Sequence, residues 1–162
     1  MKITWNELTV AFDPETAQKY LGDWTWLVGH DVRILLVSAL GELFLRAADG
    51  SVLWLESGAG RITPVAPSPE QFQEMMRQSD RVDEWFCPQL IGDLITSGKT
   101  LKPGECYSYT VPPILSGSLD PDNLEPADLS VHFSIMGQIC KKALELPEGT
   151  RIKKFTTDEE DA

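Results

Sequence analysis

Between Val32 and Val65 apolar residues come in four short runs, each followed by a turn signal or a change of period. Val32-Arg33-Ile34-Leu35-Leu36-Val37 is β-branched and apolar, and Glu42-Leu43-Phe44-Leu45-Arg46 repeats that character after Leu40-Gly41. Ser51-Val52-Leu53-Trp54-Leu55-Glu56 follows Asp49-Gly50, and an Asp-Gly pair between apolar runs is a strong hairpin signal because the turn needs residues that tolerate positive φ. Ser57-Gly58-Ala59-Gly60 turns the chain again. Arg61-Ile62-Thr63-Pro64-Val65 then reads as an edge strand, where a proline can be tolerated. The pattern predicts an antiparallel meander.

From Ser68 the period becomes helical. Ser68 is placed to cap, Pro69 suits the first helical position, Gln71 completes a capping box, and Phe72, Met75 and Met76 mark one face. A second helix is expected near Asp80, carrying Val82, Trp85 and Phe86 and broken at Pro88; a third has Leu90, Ile91, Leu94 and Ile95 and ends at Ser97-Gly98. Cys106-Tyr107-Ser108-Tyr109-Thr110 is a strand candidate, and Pro112 to Pro126, rich in Pro, Gly, Asp and Ser, reads as a long ordered loop. The last helix, capped by Asp128, runs from about Leu129 to Leu144 with Leu129, Phe133, Met136, Cys140 and Ala143 on one stripe. At the other end, Asp13-Pro14-Glu15 starts a helix reaching about Leu21, and the spacing of Trp24, Trp26 and Val28 predicts an extended connection packed on the core.

These elements predict an α+β fold, an antiparallel β-meander packed against several α-helices in a single domain, with Trp54 and Phe133 buried. Residues 1–40, an N-terminal helix and the first strand, belong to the same domain as residues 41–152, and residues 153–162, with Asp158-Glu159-Glu160-Asp161, form a disordered acidic tail. The length, 162 residues, fits one core, and five Trp, six Phe and three Tyr make that core aromatic.

Charge narrows the partners. With 25 acidic and 14 basic side chains the formal charge is -11, and Lys141-Lys142 and Lys153-Lys154 are the only adjacent basic pairs, so nucleic acid is a poor partner and a basic protein surface a better one. Net charge of this size also serves solubility alone. Cys87, Cys106 and Cys140 have no C-x-x-C spacing, which argues against a disulfide framework and a zinc site. The chain starts without the basic end and apolar run of a signal peptide, and no apolar stretch reaches the ~20 residues of a membrane span, so no membrane association and a cytoplasmic location are expected.

Catalytic signals are sparse. The histidines are His30, near a turn, and His132, on the last helix in line with Met136 and Ile139, where a half-buried, hydrogen-bonded core histidine is the plain reading and a Cys–His hydrolase the remote one. Ser57-Gly58-Ala59-Gly60 lies between strands and lacks a following Lys, so it is no phosphate loop. The acids Asp120, Asp122, Glu125 and Asp128 lack the ligand spacing of a calcium loop. No metal, cofactor or catalytic residue is expected. Asp120, Asp122 and Glu125 remain as candidate contacts for a basic partner.

Several runs carry a resemblance: Gly41-Glu42-Leu43-Phe44-Leu45, Asp49-Gly50-Ser51-Val52 with Trp54-Leu55, Asp83-Glu84-Trp85, Gly98-Lys99-Thr100-Leu101 with Pro103-Gly104-Glu105-Cys106-Tyr107, Pro112-Pro113 with Leu115-Ser116-Gly117, and Val131-His132-Phe133 with Gly137-Gln138-Ile139. In these the chain, over residues 41–152, resembles the C-terminal domain of immunity proteins of the Tde–Tdi kind, which neutralise DNase toxins of type VI secretion and in which that domain often follows a GAD-like N-terminal part. The resemblance implies a cytoplasmic, non-enzymatic inhibitor whose partner is a cognate toxin, a basic nuclease, bound stoichiometrically. A regulatory or scaffold module for an endogenous basic partner is the alternative from a different class.

Overall fold

The computed structural model describes residues 2–146; the anticipated acidic tail and residues 147–152 lie outside them. The predicted meander forms β2 (Arg33–Ser38), β3 (Leu43–Arg46), β4 (Val52–Glu56) and β5 (Arg61–Ala66), each antiparallel to the next. After a helical turn, α1 (Trp5–Leu8), a two-residue strand, β1 (Thr9–Val10), adds to the free side of β2, giving the order β1-β2-β3-β4-β5. Two residues are too few for a periodicity to reveal. Pro64 stands on β5, the outer strand, as expected. At the β3–β4 hairpin Gly50 takes φ 88° and the Asp49 carboxylate accepts from the Ser51 N–H at 2.9 Å.

All three apolar residues of β3, Leu43, Phe44 and Leu45, are fully buried, so both faces of the sheet are covered there. Phe44 takes the aromatic side. Its ring lies 4.8 Å from Phe72 of α4 (Pro69–Met75), and 5.4 and 5.5 Å from Trp85 and Phe86 of α5 (Ser79–Phe86). Ser68 caps α4 by accepting from the Gln71 N–H at 3.2 Å. Cys87 turns left-handed at φ 49°, and Pro88 opens α6 (Pro88–Thr96) in the position where its missing N–H costs nothing.

Trp54 departs from expectation. It pairs with Phe44 across the strands, yet it is half-buried, because β4 lies next to the edge strand and its indole reaches a cleft at the sheet margin. The tryptophan-rich stretch departs too. A helical turn, α2 (Pro14–Ala17), capped by Asp13 through the Thr16 N–H at 3.2 Å, continues as 3-10 helix over Gln18–Trp24 and as α3 (Thr25–Val28). Helical winding stacks Trp24 on Trp26 at 5.9 Å and turns the Trp24 indole inward, where its N–H donates to the Phe133 carbonyl at 2.9 Å. That tertiary bond has no local sequence signal.

Trp24 thereby docks the N-terminal segment on α7 (Leu129–Glu145), the longest helix of those described, which buries Leu129, His132, Phe133, Met136, Ile139 and Cys140. The Asp128 carboxylate caps it through the Val131 N–H at 3.1 Å. Tyr20 of the same 3-10 segment stacks on the Phe133 ring at 5.1 Å. The strand β6 (Glu105–Tyr109) forms where anticipated, but the expected loop ends in a further strand, β7 (Leu124–Asp128), antiparallel to β6 in a separate two-stranded sheet. Pro126 hides this strand from a sequence reading; opposite Tyr107, it stands in a two-stranded pair, where a missing N–H is tolerated.

Candidate functional site

The segment joining β6 to β7 packs Ile114 and Leu115 against the core and is held in shape by its own hydrogen bonds. Asn123 organises it: its side-chain carbonyl accepts from the Val111 N–H at 2.8 Å while its amide donates to the Val111 and Ser118 carbonyls at 2.8 and 2.7 Å. Gly117 passes so close to the Val111 carbonyl that a Cβ would collide with it. The Ile114 N–H, donating to the Gly58 carbonyl at 2.9 Å, ties the loop to the β4–β5 turn. A chain so tied presents one surface instead of an ensemble, which lowers the ordering cost of any contact it makes.

Of the predicted contact residues, Asp120 and Asp122 lie at the turn Pro121–Asn123 just before β7, exposed and without an ion pair among the described residues. Glu125 lies on β7, and its carboxylate pairs with Lys99 Nζ at 2.9 Å. Lys99 also donates to the Pro121 and Leu124 carbonyls at 2.8 and 3.0 Å, fastening the C-terminal base of the loop. Glu125 therefore shares its charge with an internal clamp, and Asp120 and Asp122 keep theirs for solvent. The bracing roles of Asn123 and Lys99 have no sequence signal; side chains that bind backbone across a loop carry no periodic pattern.

Beside the loop a cleft of about 360 Å³ opens between the sheet margin and α5. Glu42, Trp54 and Tyr109 line its inner part, with Glu56 and Glu84, and Leu119 of the loop forms a rim that is 51% exposed. Glu56 is matched by Arg61, which donates from Nε at 2.7 Å and from a terminal nitrogen at 3.2 Å, and Glu84 by Arg81 at 3.4 Å. Glu42 is different. Only 8% exposed, it receives the Trp54 indole N–H at a long 3.3 Å, and burial first, then the Glu56 charge, push its pKa up to about 8, against the weaker help of Trp54 and Arg61. A larger depression of about 630 Å³ near Glu15, His30, Asp31, Arg33 and Arg46 has only exposed ionisable groups, of both signs.

His132 is fully buried, deeper than the half-buried position expected, and its ring joins three elements. Nε2 lies 2.9 Å from the Gly41 carbonyl and 3.0 Å from Ser57 Oγ, and Nδ1 lies 2.7 Å from Ser108 Oγ. A carbonyl can only accept, so Nε2 carries the proton, Nδ1 accepts from the Ser108 hydroxyl, and burial draws the pKa down to about 4. The Ser57 hydroxyl donates to the same Gly41 carbonyl at 2.7 Å. With Nε2 protonated, no carboxylate on Nδ1 and Ser57 wholly inaccessible, this serine–histidine pair lacks the free base and open nucleophile of a hydrolase. Gly41, at φ 71°, allows the approach, since a Cβ there would strike the imidazole. Cys140 donates its thiol to the Ser57 carbonyl at 3.3 Å, and burial pushes its pKa up to about 12 and that of Cys87 to about 11, the inert end of thiol chemistry. Among the described residues no group of three or more His, Cys, Asp or Glu is placed to hold a metal ion, and no helix is long and apolar enough to cross a membrane.

Residues 66–140 match the family model of the C-terminal region of Tdi1, a type VI secretion immunity protein, and so carry the resemblance read from the sequence. The match runs from the end of β5 into α7 and takes in the loop with Asn123; the similar runs at Gly41–Leu45 and Asp49–Leu55 lie before it. In three dimensions the chain is similar to the crystal structure of Atu4351 from Agrobacterium tumefaciens, with a TM-score of 0.53 and 19% sequence identity over 78% of this chain. It spans 65% of that chain, and the likeness concerns the fold. No curated protein matches the sequence.

Proposed function

We propose that this protein neutralises a type VI secretion toxin by binding it stoichiometrically, in the cytoplasm and without chemistry of its own. The match of residues 66–140 to the Tdi1 C-terminal family carries the reading. The formal charge of -11 and the acidic, self-braced loop suit a partner with a basic face, and a nuclease has one because it must hold phosphates. Asp120 and Asp122, exposed before β7, steer the encounter; Glu125 contributes by holding the loop through Lys99.

The gene beside this one should encode a large secreted toxin with a nuclease domain. Co-expressed, the two products are expected to co-purify in equal amounts, and the protein alone should rescue cells producing the toxin. His132→Ala, wherever it folds, should rescue equally well; loss of rescue by a folded variant, or an intact partner that does not bind, would remove the inhibitor reading in favour of an enzyme or of a scaffold for an endogenous partner.

A further inference from the structure

The cleft beside the loop contains three carboxyl side chains, and two have a cation: Glu56 has Arg61 and Glu84 has Arg81. Glu42, the most deeply buried of the three, has none within salt-bridge distance among the described residues. One of its oxygens accepts the Trp54 indole N–H; the other has no hydrogen-bond partner among the described residues, on a side chain that lines the cleft. That oxygen opens to the cleft on a carboxyl more than nine-tenths buried, and it is free to accept from a donor that enters. The cavity, about 360 Å³, is at the small end of the range of roughly 300–1,000 Å³ for ligand pockets, and it suits one long side chain better than a folded segment. Its apolar wall comes from Trp54, Pro113 and Leu119. An indole, an apolar wall and a carboxyl lining one cleft together form favourable surroundings for a cation on an aliphatic stem.

We propose that this cleft receives an arginine or lysine side chain of the partner protein, whose cationic head pairs with Glu42 while its stem lies along Trp54 and Leu119. The proposal rests on the inhibitor reading above and adds a contact to it, distinct from the steering acids Asp120 and Asp122. Pairing changes the state of Glu42. In the free protein the carboxyl is held neutral by burial and by Glu56; a cation beside it favours the carboxylate, so its proton leaves to solvent on binding. The other titratable groups facing it are Glu56 on β4, Arg61 on β5, Glu84 on α5, Cys87 after it and Tyr109 on β6, and the loop adds none. Arg61 is engaged with Glu56, and burial raises the Cys87 and Tyr109 pKa values, which leaves Glu42 as the group in the cleft that changes charge near neutral pH.

Calorimetric titration of the intact protein with the toxin, in buffers of different ionisation enthalpy, tests this directly. Wild type should release close to one proton per complex, and its affinity should rise by up to about tenfold per pH unit below pH 8, whereas Glu42→Gln should bind more weakly with neither the release nor the slope. Equal proton counts and equal slopes in the two proteins would overturn the proposal and leave the inhibitor reading intact. If no toxin binds, the inhibitor reading falls, and a second measurement decides the cleft by itself. N-acetyl-arginine amide is titrated against the protein while the Trp54 indole N–H resonance, assigned with Trp54→Phe, is followed. A saturable shift that the uncharged citrulline analogue does not produce, and that Glu42→Gln abolishes, supports a cation site. An unmoved resonance, or one moved equally by both compounds, overturns it.

Discussion

Two buried ionisable residues give the protein opposite responses to pH. Glu42 keeps its proton in the native state up to about pH 8, while in the unfolded chain it would lose it near 4.5, so its contribution is complete below 4.5 and is lost as pH rises through 8. His132 stays neutral down to about pH 4, whereas the unfolded ring takes up a proton below about 6.5, so stability falls as pH drops through that window. The two slopes oppose each other between 4.5 and 6.5. Above 6.5 only the Glu42 slope remains of the two, and at about 1.4 kcal/mol per unit it removes about 2 kcal/mol by pH 8. Urea titrations at pH 6.5 and 8 should reveal this loss in wild type and its absence in Glu42→Gln; equal losses would place the titrating group elsewhere. At Phe133, fully buried between Tyr20 and the core, substitution by Ala should cost about 3–5 kcal/mol, and a loss under about 1 kcal/mol by the same method would contradict its packing.

At the scale of elements, the strands and long helices were legible because each carries a period or a cap. The Asp-Gly hairpin, Ser68 on α4 and Asp128 on α7 act through neighbours within a few residues, and local chemistry of that kind is written in the sequence. The loop between β6 and β7 was legible as a loop but not as a braced one, because Asn123 and Lys99 act on backbone groups up to 25 residues away. Asn123→Ala should leave global stability nearly unchanged and raise amide exchange at Val111, whose N–H donates to the Asn123 side chain; unchanged exchange would mean the loop is braced by other contacts. Asp120→Asn with Asp122→Asn should slow association with the toxin roughly 3–10-fold at low salt, flatten its salt dependence and barely alter dissociation, since rim charges act on encounter. Unchanged rates in stopped-flow at both salt concentrations would remove these two acids from the interface.

Taken as a whole, the molecule distributes its core over the full described length, although the family match covers residues 66–140. Phe72, Trp85 and Phe86 pack on Phe44 of β3, His132 needs Gly41 and Ser57, and Phe133 accepts from Trp24. A fragment of residues 66–146 is therefore expected to remain unfolded, with collapsed amide dispersion in its NMR spectrum; a well-dispersed spectrum would show that the matched segment is a folding unit by itself. What the sequence determined alone was the α+β class, the order of the main strands and helices, their caps and turns, and the resemblance to immunity proteins, because periodicity, capping and turn chemistry operate over a few residues. Tertiary structure decided the rest. Trp24 is helical and inward because Phe133 offers a carbonyl, β7 is a strand because β6 lies beside it, and Glu42 is a buried acid because the loop and α5 close over the sheet margin. Each depends on groups distant along the chain, whose meeting no local pattern encodes.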